Sequence, residues 1–284
     1  MTPRKRKQIT TGVITLLAFL ILFVEMLPIL LLVSNSFKKD MDIVGGNPFV
    51  LQNLSLTSYQ KVLAQKDFPL GMKNSLYVGV LATGISILVG SMASYGIARF
   101  KFRGRDTLAY TFLVARMIPQ ISLVVALYMV FNAIGTRFEM VSIKNSLLPL
   151  ILSHCSITIP YVIWLLLPFF ATIPKDYEEA ALVDGANKRQ VFWRIFFPLV
   201  APGLVVAAVF SFIMSWNEFL YALVLTGLKT KTAPLVATAY MGQFIPLWGQ
   251  LAAAGTLMLI PVFIFTLWLQ RFIVHGLTAG GIKG

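Results

Sequence analysis

Long apolar runs, with little or no charge inside them, constrain this chain more than any other feature. Residues 74–98, between Lys73 and Arg99, contain no charged side chain. A helix needs about 20 mostly apolar residues to cross the hydrocarbon core of a bilayer, so this run predicts a membrane-spanning helix. Only 12% of the residues are charged and 57% are hydrophobic. A soluble core could not bury that much apolar surface, so lipid must be the solvent for much of it.

The same length criterion, applied along the chain, predicts an all-α integral membrane protein with six transmembrane helices. Arg116 interrupts the third apolar run and Glu218 interrupts the fifth. Residues 232–249 are uncharged but contain Pro, Gly and Gln, which favours an external loop with partial helix over a further span. The predicted spans lie at about 10–33, 74–98, 107–132, 146–171, 203–226 and 250–270.

The distribution of basic residues predicts that the N- and C-termini are both cytoplasmic. With the N-terminus inside, fourteen of the 24 Lys and Arg residues fall in cytoplasmic segments and nine in external loops. Positive residues favour the cytoplasmic side of a span. The apolar run from Ile9 to Val33 is too long for a signal peptide, so the basic residues Arg4 to Lys7 flank a retained helix.

Several classes of function are disfavoured by composition. The net charge of +13 does not indicate nucleic-acid binding, because the basic residues form short clusters between apolar runs. The single cysteine, Cys155, cannot form a disulfide within the chain and is interpreted as a small buried hydrophobe. With two histidines and no HExxH motif, a metal site is not expected. No GxxxxGK[ST] phosphate loop occurs, so the chain is not predicted to be an ATPase.

The loop between the fourth and fifth spans, residues 174–198, predicts two short helices around Gly185. Pro174 suits the first turn of the first helix. Gly185 permits the turn between the helices. Asn187, with Gln190 three residues later, has the spacing of a capping box for the second helix.

The first of these helices has the character of a docking element. Asp176, Glu178 and Glu179 lie near its positive end. Ala180 and Ala181 suggest a flat face that a partner surface could approach closely. Exposed carboxylates also offer charge-assisted hydrogen bonds to Arg or Lys on a partner. We therefore expect this loop to bind another protein.

The same loop carries a family resemblance. The residues Glu179-Ala180-Ala181, Asp184-Gly185-Ala186, Phe192, Ile195 and Pro198 closely resemble the "EAA" loop of binding-protein-dependent ABC importer permeases. Further segments resemble the maltose-type carbohydrate branch of that family. These are Asn74-Ser75-Leu76, Ala93-Ser94-Tyr95-Gly96-Ile97-Ala98-Arg99-Phe100, Met117-Ile118-Pro119, Ser215-Trp216-Asn217-Glu218-Phe219 and the terminal segment from Gly276 to Gly284.

The resemblance implies a type I ABC importer permease fold in the bacterial inner membrane and a set of partners. Two permease subunits, in this branch expected as a heterodimer, would form the pathway for a carbohydrate. Two ATPase subunits would hold ATP and Mg, an external binding protein would deliver the substrate, and this chain would bind no cofactor. Glu179 would pair with a basic ATPase residue, Ala180 and Ala181 would form the contact face, and Gly185 would be the bend. The full set of coupling residues would be Glu178, Glu179, Ala180, Ala181, Asp184, Gly185, Ala186, Phe192, Ile195 and Pro198.

The resemblance also implies a domain organisation. Residues 1–70 would hold the basic tail, the first span and an external loop, residues 71–271 the permease core, and residues 272–284 a cytoplasmic tail. The tail is interpreted either as a frayed terminus or as a contact with the ATPase dimer. The stretch from Gly135 to Met140 is more charged than the family pattern leads us to expect.

Polar residues inside the spans are candidates for the translocation path: Arg116, Trp216, Asn217 and Glu218. Charges in spans are costly and usually face an interior. Arg116 could instead snorkel or form a structural ion pair. An aromatic face beside hydrogen-bonding groups suits a sugar ring, although Trp216 could also belong to an interfacial aromatic belt with Tyr221. Small and hydroxyl residues of the second span, such as Ser86 and Ser94, favour close helix packing.

Two other functions are compatible with a polytopic membrane protein. A self-sufficient secondary transporter predicts inverted repeats and buried ion sites, and no clear repeat relates the halves. A non-transporting scaffold has no use for proline-kinked, polar spans. Uptake that depends on ATP separates the importer from the first alternative, and any uptake separates it from the second. The sequence does not identify the substrate, which could be a sugar or a sugar phosphate of the glycerol-phosphate type, nor the subunit that holds it, nor the host.

Overall fold

The computed structural model describes the backbone of residues 3–50, 54–138, 142, 146–242 and 245–280. Within those ranges it describes the side chains from 10 to 269. Helices are the only regular secondary structure in this described part of the chain. Fourteen α-helices are numbered in chain order. A π-helical turn (Phe192–Phe196) precedes α10, and a 3₁₀ turn (Ala239–Met241) follows α13. The helices are α1 (Pro3–Ser36), α2 (Asp40–Gly45), α3 (Thr57–Ala64), α4 (Asp67–Arg99), α5 (Arg105–Ala115), α6 (Gln120–Gly135), α7 (Leu148–Thr172), α8 (Asp176–Val183), α9 (Lys188–Val191), α10 (Phe197–Leu199), α11 (Ala201–Trp216), α12 (Leu220–Leu225), α13 (Ala233–Thr238) and α14 (Trp248–Gly280).

Four single helices are long and apolar enough to cross a membrane. They are Thr10–Ser36 of α1, α4, α7 and Trp248–Leu269 of α14, and they coincide with the predicted first, second, fourth and sixth spans. Two bent helix pairs bring the total to six if each pair is one span. The predicted all-α architecture, with apolar helices long enough to span a membrane, is therefore confirmed.

The third span is broken rather than continuous, which corrects the single helix predicted at 107–132. Helices α5 and α6 meet at an angle of 95° across residues 116–119. Pro119 has no backbone N–H and takes an extended ψ of 128° immediately before α6. The residue before a proline is also biased away from the helical region, so a helix ends here.

The fifth span is also interrupted, which corrects the helix predicted at 203–226. Helix α11 ends at Trp216 and α12 begins at Leu220. The Glu218 carboxylate accepts hydrogen bonds from the backbone N–H groups of Tyr221 (3.0 and 2.9 Å) and Ala222 (3.3 Å). A carboxylate that satisfies the free N–H groups of a helix start stabilises that start, so the break is built into the sequence. A separate bend of 76° precedes α11, between the helical segment Lys188–Leu199 and α11 itself.

The chain divides into two compact units. The first comprises Met1–Phe68 and Ala237–Leu259. Within it the Lys38 ammonium is buried and donates to the carbonyls of Asn47 (3.3 Å) and Pro48 (2.8 Å). The Gly249 N–H donates to the Asp40 carboxylate at 2.7 Å. These bonds fix a loop that has little apolar core of its own.

Tyr240 belongs to the same first unit. Its hydroxyl donates to Gln65 Oε1 at 3.0 Å. Burial, reinforced by the Asp67 carboxylate, raises the pKa of Tyr240 above its ordinary value. The phenol therefore stays protonated and available as a donor.

The second unit comprises Pro69–Val236 and Ile260–Gly284, and its helices pack through small and hydroxyl residues as predicted. Ser86 and Thr158 hydroxyls are 2.6 Å apart, and the Ser94 hydroxyl donates to the Gly90 carbonyl (2.7 Å) and the Ile163 carbonyl (3.0 Å). A β-carbon at Gly90 would lie 2.5 Å from Val162. Only glycine permits α4 and α7 to approach so closely.

The Asn74-Ser75 segment ties α4 to the loop before α13 in this second unit. The Asn74 amide donates to the carbonyls of Lys229 (3.0 Å) and Lys231 (2.9 Å). The Ser75 hydroxyl accepts the N–H of Ala233 at 2.9 Å. Backbone groups of a loop that would otherwise be unsatisfied near the membrane are thereby paired.

Helix α14 continues to Gly280, well past the end of the sixth span predicted at 270. The predicted tail, residues 272–284, is therefore helical over most of its length, and residues 281–284 lie outside the described residues. The charged stretch from Gly135 to Met140 also lies partly outside them, because Glu139 and Met140 are not described.

Candidate functional site

The segment 174–198 has short helices on both sides of a glycine, as the sequence predicts. Pro174, expected in the first turn, lies instead two residues before α8. Helix α8 carries three carboxylates in its first turn, Asp176, Glu178 and Glu179. Gly185 has a φ of +85°, a conformation that residues with a side chain rarely adopt. The N–H of Ala186 donates to the carbonyl of Ala181 at 2.9 Å, which closes the turn. The bend therefore requires glycine, because the positive φ would strain a residue with a side chain.

A capping box starts α9, as the spacing of Asn187 and Gln190 predicts. The Gln190 N–H donates to Asn187 Oδ1 at 3.0 Å, and the Asn187 N–H donates to Gln190 Oε1 at 2.8 Å. Two N–H groups at the helix start are satisfied reciprocally. The second helix is therefore fixed in direction relative to the glycine turn.

The two alanines of α8 do not share one exposed face, which corrects the flat Ala180–Ala181 surface expected from sequence. Ala181 is buried and packs into an apolar cluster of the second unit. Ala180, Glu179 and Asp184 are exposed, and Glu178 is half-buried. Neighbouring helical positions point about 100° apart, and here Ala181 faces inward while Ala180 faces outward. The outward surface of α8 thus combines one small residue with carboxylates.

An aromatic cluster joins the region after the turn to helix α4. Tyr95 of α4 lies 5.1 Å, ring centroid to ring centroid, from both Phe192 and Phe196. Its ring also contacts Phe170 at 5.9 Å and Phe100 at 5.7 Å. Each such tilted or edge-on pair contributes about 0.5–1.5 kcal/mol beyond its buried area. Phe192 and Phe196 flank one turn of π-helix, so both can reach the same tyrosine.

The remaining predicted coupling residues lie around this cluster. Ile195 and Ala186 are half-buried and pack against its buried members. Pro198 is exposed and stands in the first turn of α10, just before the turn into α11. These residues connect the acidic helix to the start of the fifth span.

Arg99, the last residue of α4, ties this helix to both ends of the loop. Its guanidinium donates to the carbonyls of Ile173 (2.8 Å) and Pro174 (3.3 Å), just before α8. The guanidinium carbon also lies 4.3 Å from the centre of the Phe196 ring. One side chain therefore binds the segment before the acidic helix and the segment after it. Only the resemblance over residues 93–100 could have pointed to it.

A second feature lies at the two helix breaks, where a cavity of about 360 Å³ opens. Asn217, Glu218 and Phe219 line it from the interruption of the fifth span. Gln120 lines it from the first position of α6, directly after the interruption of the third span. Non-helical backbone at membrane depth is tolerated where it borders such a cavity. Two amide side chains, a carboxylate and an aromatic ring thus share one space.

Two of the predicted path residues do not line this cavity. Trp216 is only 1% exposed and stacks on Phe212 with ring centroids 5.6 Å apart. Arg116 is exposed at the other end of the third-span interruption, with its guanidinium carbon 4.7 Å from the centre of the Tyr161 ring. Within the described residues it pairs with no carboxylate, so its partner is an aromatic face. Trp216 and Tyr221 are both buried, which does not fit an interfacial aromatic belt.

His154 is a residue of this site that the sequence did not single out. It is 1% exposed, and its Nδ1 lies 2.6 Å from the Ser215 hydroxyl. Its Nε2 lies 3.6 Å from Glu218 Oε2, longer than a hydrogen bond. His154 therefore links α7 to the end of α11 beside the carboxylate that starts α12. His154 is about 60 positions from Ser215 and Glu218 in the chain, and no local spacing signals such a contact.

Metal ligands do not cluster in this site. Among the described residues, no group of three or more His, Cys, Asp or Glu could hold a metal ion. Cys155 is buried and free, in agreement with its interpretation as a small apolar residue.

Comparison with a family model gives a match over residues 86–278, which is more than half of the chain. The family is described as binding-protein-dependent transport system inner membrane component. The match includes the glycine turn, the aromatic cluster, Arg99 and both helix breaks.

Sequence relatives match nearly the whole chain. The diacetylchitobiose uptake system permease protein DasC of Streptomyces coelicolor is 35% identical over 93% of this chain and 94% of the relative. The trehalose transport system permease protein SugB of Mycobacterium tuberculosis is 36% identical over 91% of this chain and 93% of the relative.

A solved structure has the same fold. It is a chain of a bacterial ABC transporter involved in the import of the acidic polysaccharide alginate, with a TM-score of 0.75 and 18% identity. The likeness covers 95% of this chain and 98% of that chain. At this identity the likeness shows that the fold is shared.

Proposed function

The chain belongs to the family of binding-protein-dependent transport system inner membrane components, and from this we propose that it forms half of the pathway through which an importer carries a sugar or oligosaccharide. It is an inner-membrane permease subunit of an ABC importer and not an enzyme. We propose that ATP is hydrolysed by a separate subunit, since this chain has no GxxxxGK[ST] phosphate loop.

We propose that the exposed surface of α8 docks on a cytoplasmic ATPase subunit. The observation that carries this assignment is the rigid attachment of α8 to a membrane helix, through Arg99 on one side of the loop and Tyr95 on the other. A docked helix held in this way moves together with α4 and the start of the fifth span. ATP-driven closure of the ATPase dimer could therefore bias the spans between two arrangements.

The remaining partners follow from the same assignment. The chain would pair with a second, non-identical permease subunit, two ATPase subunits that hold ATP and Mg, and an external binding protein. Both chain termini and α8 would lie in the cytoplasm, as the basic residues predict. Lipid would surround the exposed faces of the spans.

A carbohydrate is the proposed substrate class. Two relatives are named for diacetylchitobiose and trehalose, which are both disaccharides. The cavity at the helix breaks offers the Gln120 and Asn217 amides as donors and acceptors and the Phe219 ring as an apolar face. A sugar presents hydroxyl groups at its rim and C–H groups on its ring faces, and such a lining suits both. In this proposal Phe219, and not Trp216, provides the aromatic face for the sugar ring.

The charge of Glu179 tests the coupling assignment. Glu179→Lys is expected to leave the chain in the membrane, to lower the amount of ATPase that copurifies with it in mild detergent, and to abolish sugar uptake. The wild-type preparation should yield the ATPase and a second permease. The measurement is quantitative mass spectrometry of the purified complex beside labelled-sugar uptake in the same cells.

Asp106→Lys is the matched control, because Asp106 is an exposed carboxylate (88%) on a different predicted cytoplasmic segment. It makes the same change of charge and should leave uptake and the copurifying ATPase unchanged. Intact uptake by Glu179→Lys would rule out the docking role. Recovery of the wild-type chain alone, active without ATP, would instead favour a secondary transporter.

A further inference from the structure

A groove of about 510 Å³ lies beside the aromatic cluster and is lined in part by Tyr95 and Phe192. One wall is formed by the last turns of α4 and the residue after it, and the other by α9 and the π-helical turn. The residues that matter here are Leu88, Met92, Phe100, Lys188, Arg189 and Trp193.

The groove is apolar along the span and basic at its end. Leu88 and Met92 lie within the uncharged run of α4 and are 46% and 51% exposed. Lys188 and Arg189 follow the glycine turn and are exposed at the other end of the groove. Among the described residues, neither basic side chain pairs with a carboxylate. An apolar wall that ends in two cations without a carboxylate partner is complementary to a phospholipid, which has an apolar acyl chain and an anionic phosphate.

The groove walls are held in place by contacts within the chain. The Lys188 ammonium lies 4.8 Å from the centre of the Phe100 ring, so its position at the rim is fixed by a cation–π contact. The Trp193 ring packs against Phe192 at 4.8 Å and Phe197 at 5.0 Å. Trp and basic residues together are typical of the membrane–water boundary.

We propose that this groove binds an anionic phospholipid of the cytoplasmic leaflet. One acyl chain lies along Leu88 and Met92, and the phosphate contacts Lys188 and Arg189. Basic pockets between membrane helices on the cytoplasmic side bind anionic headgroups by this combination of charge and apolar contact. The inference rests on the orientation given under the proposed function, which puts the basic end of the groove at the cytoplasmic surface.

The bound lipid contacts the machinery that joins α8 to the spans. Tyr95 and Phe192 line the groove and also form the centre of the aromatic cluster. Occupancy therefore supports the packing that holds the acidic helix in place. Coupling should be tighter in membranes that contain anionic lipid than in purely zwitterionic ones.

The test measures lipid that stays bound to the purified importer. Native mass spectrometry is done after reconstitution with a mixture of phosphatidylglycerol and phosphatidylcholine. Lys188→Gln combined with Arg189→Gln is expected to lower phosphatidylglycerol binding about 25-fold, since each basic side chain that contacts the bound phosphate contributes about fivefold. Lys101→Gln combined with Arg103→Gln removes the same charge from a neighbouring exposed loop and should change binding little.

A second variant tests the acyl part of the site without a change of charge. Met92→Trp fills the groove, and phosphatidylglycerol binding should fall although both cations remain. Equal losses in the two double variants, or unchanged binding in Met92→Trp, would overturn the site. If the Lys188 and Arg189 variant kept its lipid but lost the ATPase subunit, the pair would be a protein contact instead. Because lipid binding is measured without transport, its failure is distinguishable from failure of the proposed import function.

Discussion

At the scale of single residues, Arg99 attaches the loop that carries α8 to the end of α4. Its planar guanidinium reaches two carbonyls and an aromatic ring at once. A lysine ammonium is a point charge on a flexible stem and cannot reproduce that fork. The geometry therefore makes an ordinarily conservative exchange a specific test.

Arg99→Lys is expected to uncouple transport from ATP hydrolysis. Loss of one charge-assisted hydrogen bond, ~1.4 kcal/mol, loosens the segment before α8, and the sugar transported per ATP should fall about tenfold. The measurement is the ratio of uptake to phosphate release in proteoliposomes that contain the whole importer. Arg103→Lys, at an exposed position of the adjacent loop, should leave that ratio unchanged. Parallel loss of hydrolysis and uptake in Arg99→Lys would indicate disrupted assembly and contradict this account.

The contacts of a residue could be predicted from the sequence when its partner is close in the chain. Asn187 and Gln190 are three positions apart, and their capping box was predicted correctly. His154 and Ser215 are 61 positions apart, and nothing in the sequence pairs them. The prediction that Trp216 lines the translocation path was not supported for the same reason. Tertiary packing, here of Phe212 against Phe265, decides which side of α11 faces the core.

At the scale of secondary-structure elements, apolar length identified the spans but not their bends. A run of about 20 apolar residues predicts that the chain crosses the bilayer, whether or not its helix is straight. Pro119 marks the third-span break in sequence, but the angle of 95° is set by what α5 and α6 pack against. The fifth-span break has no proline and depends on the Glu218 carboxylate, which sequence presented only as a charge in a span.

The start of α9 gives a prediction for an element. Asn187→Ala removes an N-cap and one half of the capping box, which costs about 1 kcal/mol at a helix start. Exchange of the backbone amides of residues 188–196 should become about fivefold faster, and lipid and ATPase readouts should weaken with it. Hydrogen–deuterium exchange on the detergent-purified importer measures the change. Asn187→Ser keeps an acceptor in place and should behave as the wild type, whereas faster exchange in both variants would contradict a capping role.

At the scale of the whole molecule, α1 shows why this chain functions in a membrane and in an assembly. Its large apolar side chains from Val13 to Val24 are half or more exposed, including Leu16 at 70% and Phe19 at 69%. A helix that is apolar all round and unburied in its own chain needs lipid or another subunit as its surroundings. The exposed apolar faces of α4 and α14 make the same demand.

The predicted orientation of the whole chain can be tested with cysteines. The only native cysteine, Cys155, is buried, so an introduced cysteine reports its own position. Arg103→Cys and Leu228→Cys place thiols on loops at opposite ends of the spans, and Leu228 is 82% exposed. In right-side-out membrane vesicles, a membrane-impermeant maleimide should label Leu228→Cys at once and Arg103→Cys only after the vesicles are opened. The unaltered chain, with Cys155 alone, is the control and should remain unlabelled in both states.

The reverse pattern of labelling would contradict the cytoplasmic placement of α8, because residues 103 and 183 are joined by one break-containing span and one continuous span, α7. An even number of crossings returns the chain to the same side. Labelling of Arg103→Cys from outside would therefore move the acidic helix, its glycine turn and the basic end of the lipid groove to the external face. No cytoplasmic ATPase could then reach Glu179, and the loss of uptake in Glu179→Lys would need another cause. The orientation test thus decides whether the coupling and lipid predictions can hold together.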